Sequence, residues 1–244
     1  MSPYTLLDPL VRVVYAAVTG VAALLPGPTG GAALAVAVVL VTMIVRGCLL
    51  PAARSALRAE RAREALAPQI ARLQARYAGD RQRLAREIMA VYRRAGVSPF
   101  AGLRPALVQL PVVSTMYRVL VVPVVAGHPN AIVAAQVFGA PLAAHWPEIV
   151  TAAGVLSWPG VAFLAVVLAL TATAWMSSRQ IRDRVRQQAT TPAHTAEHRM
   201  TRLLRWSPFG TVVFAVLTPA VVSLYLLTTT AWTVAERRLL TRPA

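Results

Sequence analysis

The chain has 244 residues, 57% hydrophobic and 14% charged, with a formal net charge of +16 and a mean hydropathy of +0.56. That balance, with several long apolar runs, excludes an ordinary soluble domain and points to a polytopic α-helical membrane protein. All 25 basic side chains are arginine. They alternate with apolar runs instead of forming one soluble face, so they read as positive-inside topology and attraction to anionic lipid, with no DNA partner expected. Cys48 is the single cysteine, which leaves no disulfide framework or cysteine-rich zinc cluster to read.

Residues 1–31 hold Asp8, Arg12 and a moderately apolar stretch from Val13 to Leu25. Leu6, Leu10, Val13, Val14 and Val18 fit an N-terminal interfacial helix followed by a loop. Asp8 and Pro9 interrupt the positively charged leader that a cleaved signal needs, and a short extra span here would not alter the remaining topology.

Residues 32–50, AALAVAVVLVTMIVRGCLL, form the first expected span, long enough to cross a bilayer core as a helix. Arg46 lies inside it, where a charge costs about 2.5–3.5 kcal/mol on insertion scales. With a pKa above ~12 a guanidinium cannot escape by losing its proton. It must face a polar cavity, pair with an acid, or snorkel to the cytoplasmic surface.

Residues 51–102 are expected to form a cytoplasmic helical hairpin. From Pro51 to Arg104 there are twelve arginines against Glu60, Glu64, Asp80 and Glu87. Leu57, Ala62, Leu66, Ile70 and Leu73 recur at roughly helical spacing, and Ala78-Gly79-Asp80 is a turn signal. A second span is expected at 103–123, an arginine-free extracytoplasmic loop at 124–156, a third span at 157–176 and a basic cytoplasmic loop at 177–205. The final apolar block, Trp206 to Ala235, has arginines at both ends. As a single helix it would be about 45 Å long. A break at Pro219 divides it into spans at 206–218 and 219–235, which puts the basic tail at 236–244 in the cytoplasm. Legs of ~22 Å favour local bilayer thinning.

No Ser/His/Asp grouping, phosphate-binding glycine loop or paired intramembrane carboxylates is present. His194-Thr-Ala-Glu197-His198 formally matches an HxxEH pattern, but its basic loop supplies no clear third ligand. No enzyme activity, cofactor or metal is expected.

The segment Thr42-Met-Ile-Val-Arg46-Gly-Cys-Leu-Leu-Pro51 resembles the first core span of YidC-type membrane protein insertases, a family that includes the mitochondrial Oxa and chloroplast Albino proteins. The likeness continues through Pro68-Gln-Ile, Arg76, Gly79-Asp80, Glu87-Ile-Met-Ala-Val-Tyr92, Gly96-Val-Ser-Pro99 and Gly102-Leu-Arg-Pro105-Ala-Leu-Val-Gln109-Leu-Pro111, then Tyr117. Pro219 and Leu224-Tyr225 match more loosely. The sequence departs from the family pattern in having Ala after Pro219, in Thr229-Thr230 where a Ser-Asn pair is frequent, and in a longer 177–205 segment.

The resemblance implies a five-span bundle with a hydrophilic groove open to the cytoplasm and to lipid but closed outside. Arg46 and Thr42 would line it, with Gln109, Ser114 and Thr115 from the second span and Thr229 and Thr230, beside Thr228, from the last. It implies insertion and folding of nascent membrane proteins in the bacterial cytoplasmic membrane. The ribosome, the signal-recognition-particle receptor, the Sec translocon and membrane lipids are the further partners to consider. A small-solute transporter or channel is the alternative, although no internal repeat is visible. In a structural scaffold, Arg46 would merely anchor its helix. Arg118 is left unassigned.

Overall fold

A computed structural model describes residues 8–26, 30–98, 104–125, 127–188 and 197–241. Helix α1, Asp8–Ala23, packs its Val11 and Val18 side into the bundle. Helix α2, Gly31–Cys48, is followed after Leu49 by α3, Leu50–Arg76. Pro51 sits in the first turn of α3, where a helix lacks amide partners and proline is tolerated. A turn over 77–80 leads to α4, Arg81–Arg94, and the Asp80 side chain accepts from the Arg83 amide at 2.9 Å, capping the new helix. Arg76 and Arg83 lie over the Tyr77 ring at the same turn.

Helix α5, Arg104–Val121, leads into two small ribbons. Strands β1, Val124–Val125, and β2, His128–Pro129, pair antiparallel, with Val124 opposite Pro129. After the short helix α6, Ala131–Ala134, strands β3, Gln136–Val137, and β4, Ala140–Pro141, pair through Phe138 and Gly139. Both linking residues have positive φ, 53° and 86°, the signature of a tight primed hairpin turn. Helix α7, Trp146–Ala153, precedes α8, Trp158–Gln188. Helices α9, Glu197–Leu217, and α10, Ala220–Thr241, are separated at Thr218-Pro219.

Helix α10 is the central strut: it packs on α2, α8, α9 and α5, while α1 covers α2 and α5. The main core joins Val18, Val38, Val119, Ile132, Val221 and their neighbours. A smaller one stacks Trp146 on Phe163 at 5.0 Å. Among the described residues two helices, Gly31–Cys48 and Trp158–Arg182, are long and apolar enough to cross a membrane; Leu110–Val121 and Pro208–Leu217 are shorter apolar helices.

The segment expected as a basic loop from 177 is helical through Gln188. Its sequence, SSRQIRDRVRQQ, has no breaker and is rich in Arg and Gln, which continue a helix after hydropathy has fallen. Helix extent and apolar extent therefore part company at about Ser177. His194 lies outside the described residues, and among them no group of three metal-binding side chains exists.

Candidate polar groove and its sealed end

One end of the bundle is closed by the 123–144 segment. Asn130 is only 1% exposed. Its Nδ2 donates to the carbonyls of Val119 and Val122 at 2.7 and 2.8 Å, and its Oδ1 accepts from the Ile132 amide at 2.9 Å. Those carbonyls belong to the last turn of α5 and to the residue that follows it, where a helix leaves acceptors without partners. One amide side chain thus ends α5 and starts α6. Gly31 lets the chain approach closely on the other side, because a Cβ there would collide with the Gln136 backbone.

The α9–α10 break is satisfied by the same segment. The first amides of α10, Ala220 and Val221, donate to the carbonyls of Ala144 and Leu142, both at 3.0 Å. Ser223 and Thr218 hydroxyls donate to the Ala215 carbonyl at 2.6 and 3.3 Å. A helix break in an apolar setting survives only when its freed backbone groups are paired in this way. Val125, Ile132 and Leu142 pack against Val221 and Val222 around these bonds.

Arg46 lies toward the opposite end. It is half-buried, with no ion-pair partner among the described residues. Thr42, one turn earlier, is buried, and its hydroxyl donates to the Val38 carbonyl at 2.6 Å. The electrostatic neighbours of the guanidinium are Tyr225 and Glu236 on α10. Glu236 accepts from the Trp232 indole at 2.9 Å. Positions 225, 229, 232 and 236 recur at helical spacing, so one face of α10 carries a phenol, a hydroxyl, an indole and a carboxylate toward α2.

Three buried hydroxyls, on Thr115, Tyr225 and Thr229, have no hydrogen-bond partner among the described residues. Those of Tyr225 and Thr229 are near enough to interact electrostatically without meeting hydrogen-bond geometry. An unpaired buried hydroxyl costs about 1–3 kcal/mol, and that of Tyr225 neighbours the Arg46 guanidinium, so this face of α10 is able to take a polar guest.

Not every expected lining residue falls here. Ser114 is exposed. Gln109 lies on α5, its side chain outside those described. Thr228 donates to the Leu224 carbonyl at 2.9 Å. Thr230 faces α8, with its hydroxyl 3.4 Å from that of Thr173. Arg118 forms an ion pair with Asp8 at 3.0 Å. Tyr225 as a lining group, and Glu236, were not anticipated. Glu236 is the only acid between Glu197 and the chain's last residue, and its spacing from Tyr225 is the signal that finds it.

The described residues thus form a helical bundle with two helices apolar enough to cross a membrane and a half-buried cation on one of them. The chain matches the family described as 60Kd inner membrane protein over residues 27–244 and belongs to that family. It is similar to the membrane protein insertase YidC of Marinobacter nauticus, 39% identical over 85 residues, which are 35% of this chain and 15% of that protein. It is also similar to the ALBINO3-like protein 1, chloroplastic, of Arabidopsis thaliana, 36% identical over 84 residues, 34% of this chain and 17% of the relative. YidC of Rickettsia typhi is 38% identical over 87 residues, 36% of this chain and 16% of the relative. The matched stretches thus cover 15–17% of the length of these relatives. The resemblance to YidC and Albino proteins read from the sequence holds.

Proposed function

We propose that the chain is a membrane protein insertase of the bacterial cytoplasmic membrane. The observation that carries this reading is Arg46: a permanent cation, half-buried, with no ion pair among the described residues, between Thr42 and the Tyr225–Thr229–Glu236 face of α10. The spans are α2, α5, α8 and the two legs α9 and α10. Helices α3 and α4 and the C-terminal tail lie in the cytoplasm, and the Asn130 end faces outside. The groove opens inward and sideways to lipid and stops at the dry Leu142–Val221 seal.

A nascent chain offers a hydrophilic segment that must cross and an apolar helix that must stay. In a site of low effective dielectric, the attraction between Arg46 and an acidic or carbonyl-rich segment is several-fold stronger than in water. Hydroxyls of Thr115, Tyr225 and Thr229 exchange hydrogen bonds with the guest backbone, with Gln109 and Ser114 as further polar contacts. The short apolar stretch Pro208–Leu217, about 15 Å as helix, favours a thin bilayer and shortens the remaining crossing. Partition of the guest's apolar helix into lipid then drives release, with no nucleotide hydrolysed. The ribosome, the signal-recognition-particle receptor and the Sec translocon are proposed as delivery partners.

The test is insertion of a single-span substrate with an acidic translocated tail into proteoliposomes. Arg46→Ala is expected to lower insertion about tenfold or more, the value of a charge-assisted hydrogen bond, and Arg46→Lys to retain most of it. Unchanged insertion with Arg46→Ala overturns the role of the arginine. Solute flux without insertion overturns the insertase reading in favour of a transporter.

A further inference from the structure

Helix α10 carries a second polar face, turned away from Arg46. Thr230, Thr233, Val234 and Arg237 on that face meet α8 and α9 around a cavity of about 310 Å³, at the small end of the range for sites that hold a discrete molecule. Its walls are graded. Leu170, Ala174 and Val234 are apolar. The Thr230 and Thr233 hydroxyls spend their protons on the carbonyls of Leu226 and Thr229, at 2.8 and 2.9 Å. By contrast Ser177, Gln180 and Thr211 also line the cavity, and their side chains make no hydrogen bond among the described residues.

Three uncommitted donors and a guanidinium therefore share one concavity, and among the described residues no carboxylate lines it. Such a donor set recognises an anion with several oxygens. Ser177, Gln180 and Arg237 belong to the ends of α8 and α10 that carry Arg179, Arg182 and Arg238. In the proposed orientation these ends meet the cytoplasmic leaflet, where anionic headgroups concentrate. Trp175 is 46% exposed beneath the Arg179 guanidinium, 3.5 Å from the ring centroid, an aromatic and cationic pairing suited to the headgroup level.

We infer that the cavity between α8, α9 and α10 binds the phosphate of an anionic phospholipid from the cytoplasmic leaflet, with Arg237, Gln180, Ser177 and Thr211 as its donors. The inference rests on the proposed orientation but not on the Arg46 site. A lipid held there wedges α8 against α10 and sets how readily the two helices part. The cavity is thus a lipid-sensing site distinct from the groove.

The full chain, purified in detergent, is offered dioleoyl phosphatidylglycerol and dioleoyl phosphatidylcholine in competition, and bound lipid is counted by native mass spectrometry. One phosphatidylglycerol is expected to be retained about tenfold over phosphatidylcholine. The double variant Gln180→Leu/Arg237→Leu is expected to abolish that preference. Ser177→Ala/Thr211→Val, which keeps every charge, is expected to weaken it about fivefold. Arg238→Leu, at an exposed position on the same helix end, is expected to leave it intact. An equal loss with Arg238→Leu, or no loss with Ser177→Ala/Thr211→Val in a chain of unchanged melting temperature, overturns the site in favour of diffuse attraction. Displacement of the lipid by millimolar inorganic phosphate overturns the lipid assignment and leaves a soluble-anion site. Because the readout is bound lipid, failure here is separable from failure of insertion by Arg46 variants.

Discussion

Asp8 and Arg118 are joined by an ion pair of 3.0 Å that fastens the start of α1 to the end of α5. The two residues are 110 positions apart, and the pair is partly exposed, 43% and 25% at the two side chains. Partly screened pairs contribute about 0–1 kcal/mol, so Asp8→Asn is expected to leave the melting temperature nearly unchanged. Its effect is local: amide exchange within α1 should speed up while α2 keeps its protection. Uniform acceleration across both helices would show that the pair supports the whole bundle.

Asn130 is expected to be far more sensitive. Truncation to Ala removes three hydrogen bonds and leaves the Val119 and Val122 carbonyls unpaired in a buried setting. A loss of about 2–4 kcal/mol is expected, read as a lowered melting temperature in detergent. Asn130→Asp should also be costly, since a carboxylate accepts but cannot donate to those carbonyls. A melting temperature within a degree of the parent would sink the anchoring role.

The three unpaired hydroxyls separate a wet groove from a dry core. In a dry core, Thr115→Val and Thr229→Val remove a buried penalty and stabilise by about 1 kcal/mol each. In a groove that receives polar guests, Thr229→Val and Tyr225→Phe are expected to lower insertion several-fold with little change in stability. Thr42→Val is the control. Its hydroxyl is already committed to Val38, so insertion is expected to change less than with Thr229→Val. Equal effects at Thr42 and Thr229 would count against the assigned lining.

Glu148 supplies the pH dependence. It accepts from the His145 amide at 2.9 Å, and that hydrogen bond holds its carboxyl below the ordinary value of 4.5. A carboxylate with a lowered folded pKa stabilises fully above its unfolded value and loses that contribution as pH falls through the folded one. The first turn of α7 is therefore expected to fray below pH 4.5, seen as faster exchange at 146–149 after correction for intrinsic rates. Glu148→Ala, which removes the acceptor, should show the frayed rate already at neutral pH.

Legibility in the sequence followed the range of the interaction. Gly79-Asp80 and Pro219 are local punctuation, and the chain turns at 77–80 and breaks at Thr218-Pro219. Hydropathy marks Gly31–Cys48 and Trp158–Arg182, but it stops reporting where α8 continues as a polar helix. Pairings between distant segments leave no periodic trace: Asp8 with Arg118, Arg61 donating to the Leu240 carbonyl at 2.8 Å, and Asn130 with the end of α5. At the candidate site the cation was readable because a charge in an apolar run is costly anywhere. Its α10 neighbours were not, since which face of α10 meets α2 is decided by packing. Thr229 and Thr230 are adjacent in sequence yet lie on different faces.

The closure at Ala220 and Val221 consists of main-chain atoms. Replacement of the outward side chains along 140–144 leaves both hydrogen bonds in place, whereas the buried Leu142 and Ala144 also hold the segment by packing. Deleting a single residue from it would shift both acceptors out of register at once, so the start of α10 should tolerate such a deletion far less than an exchange of the outward side chains.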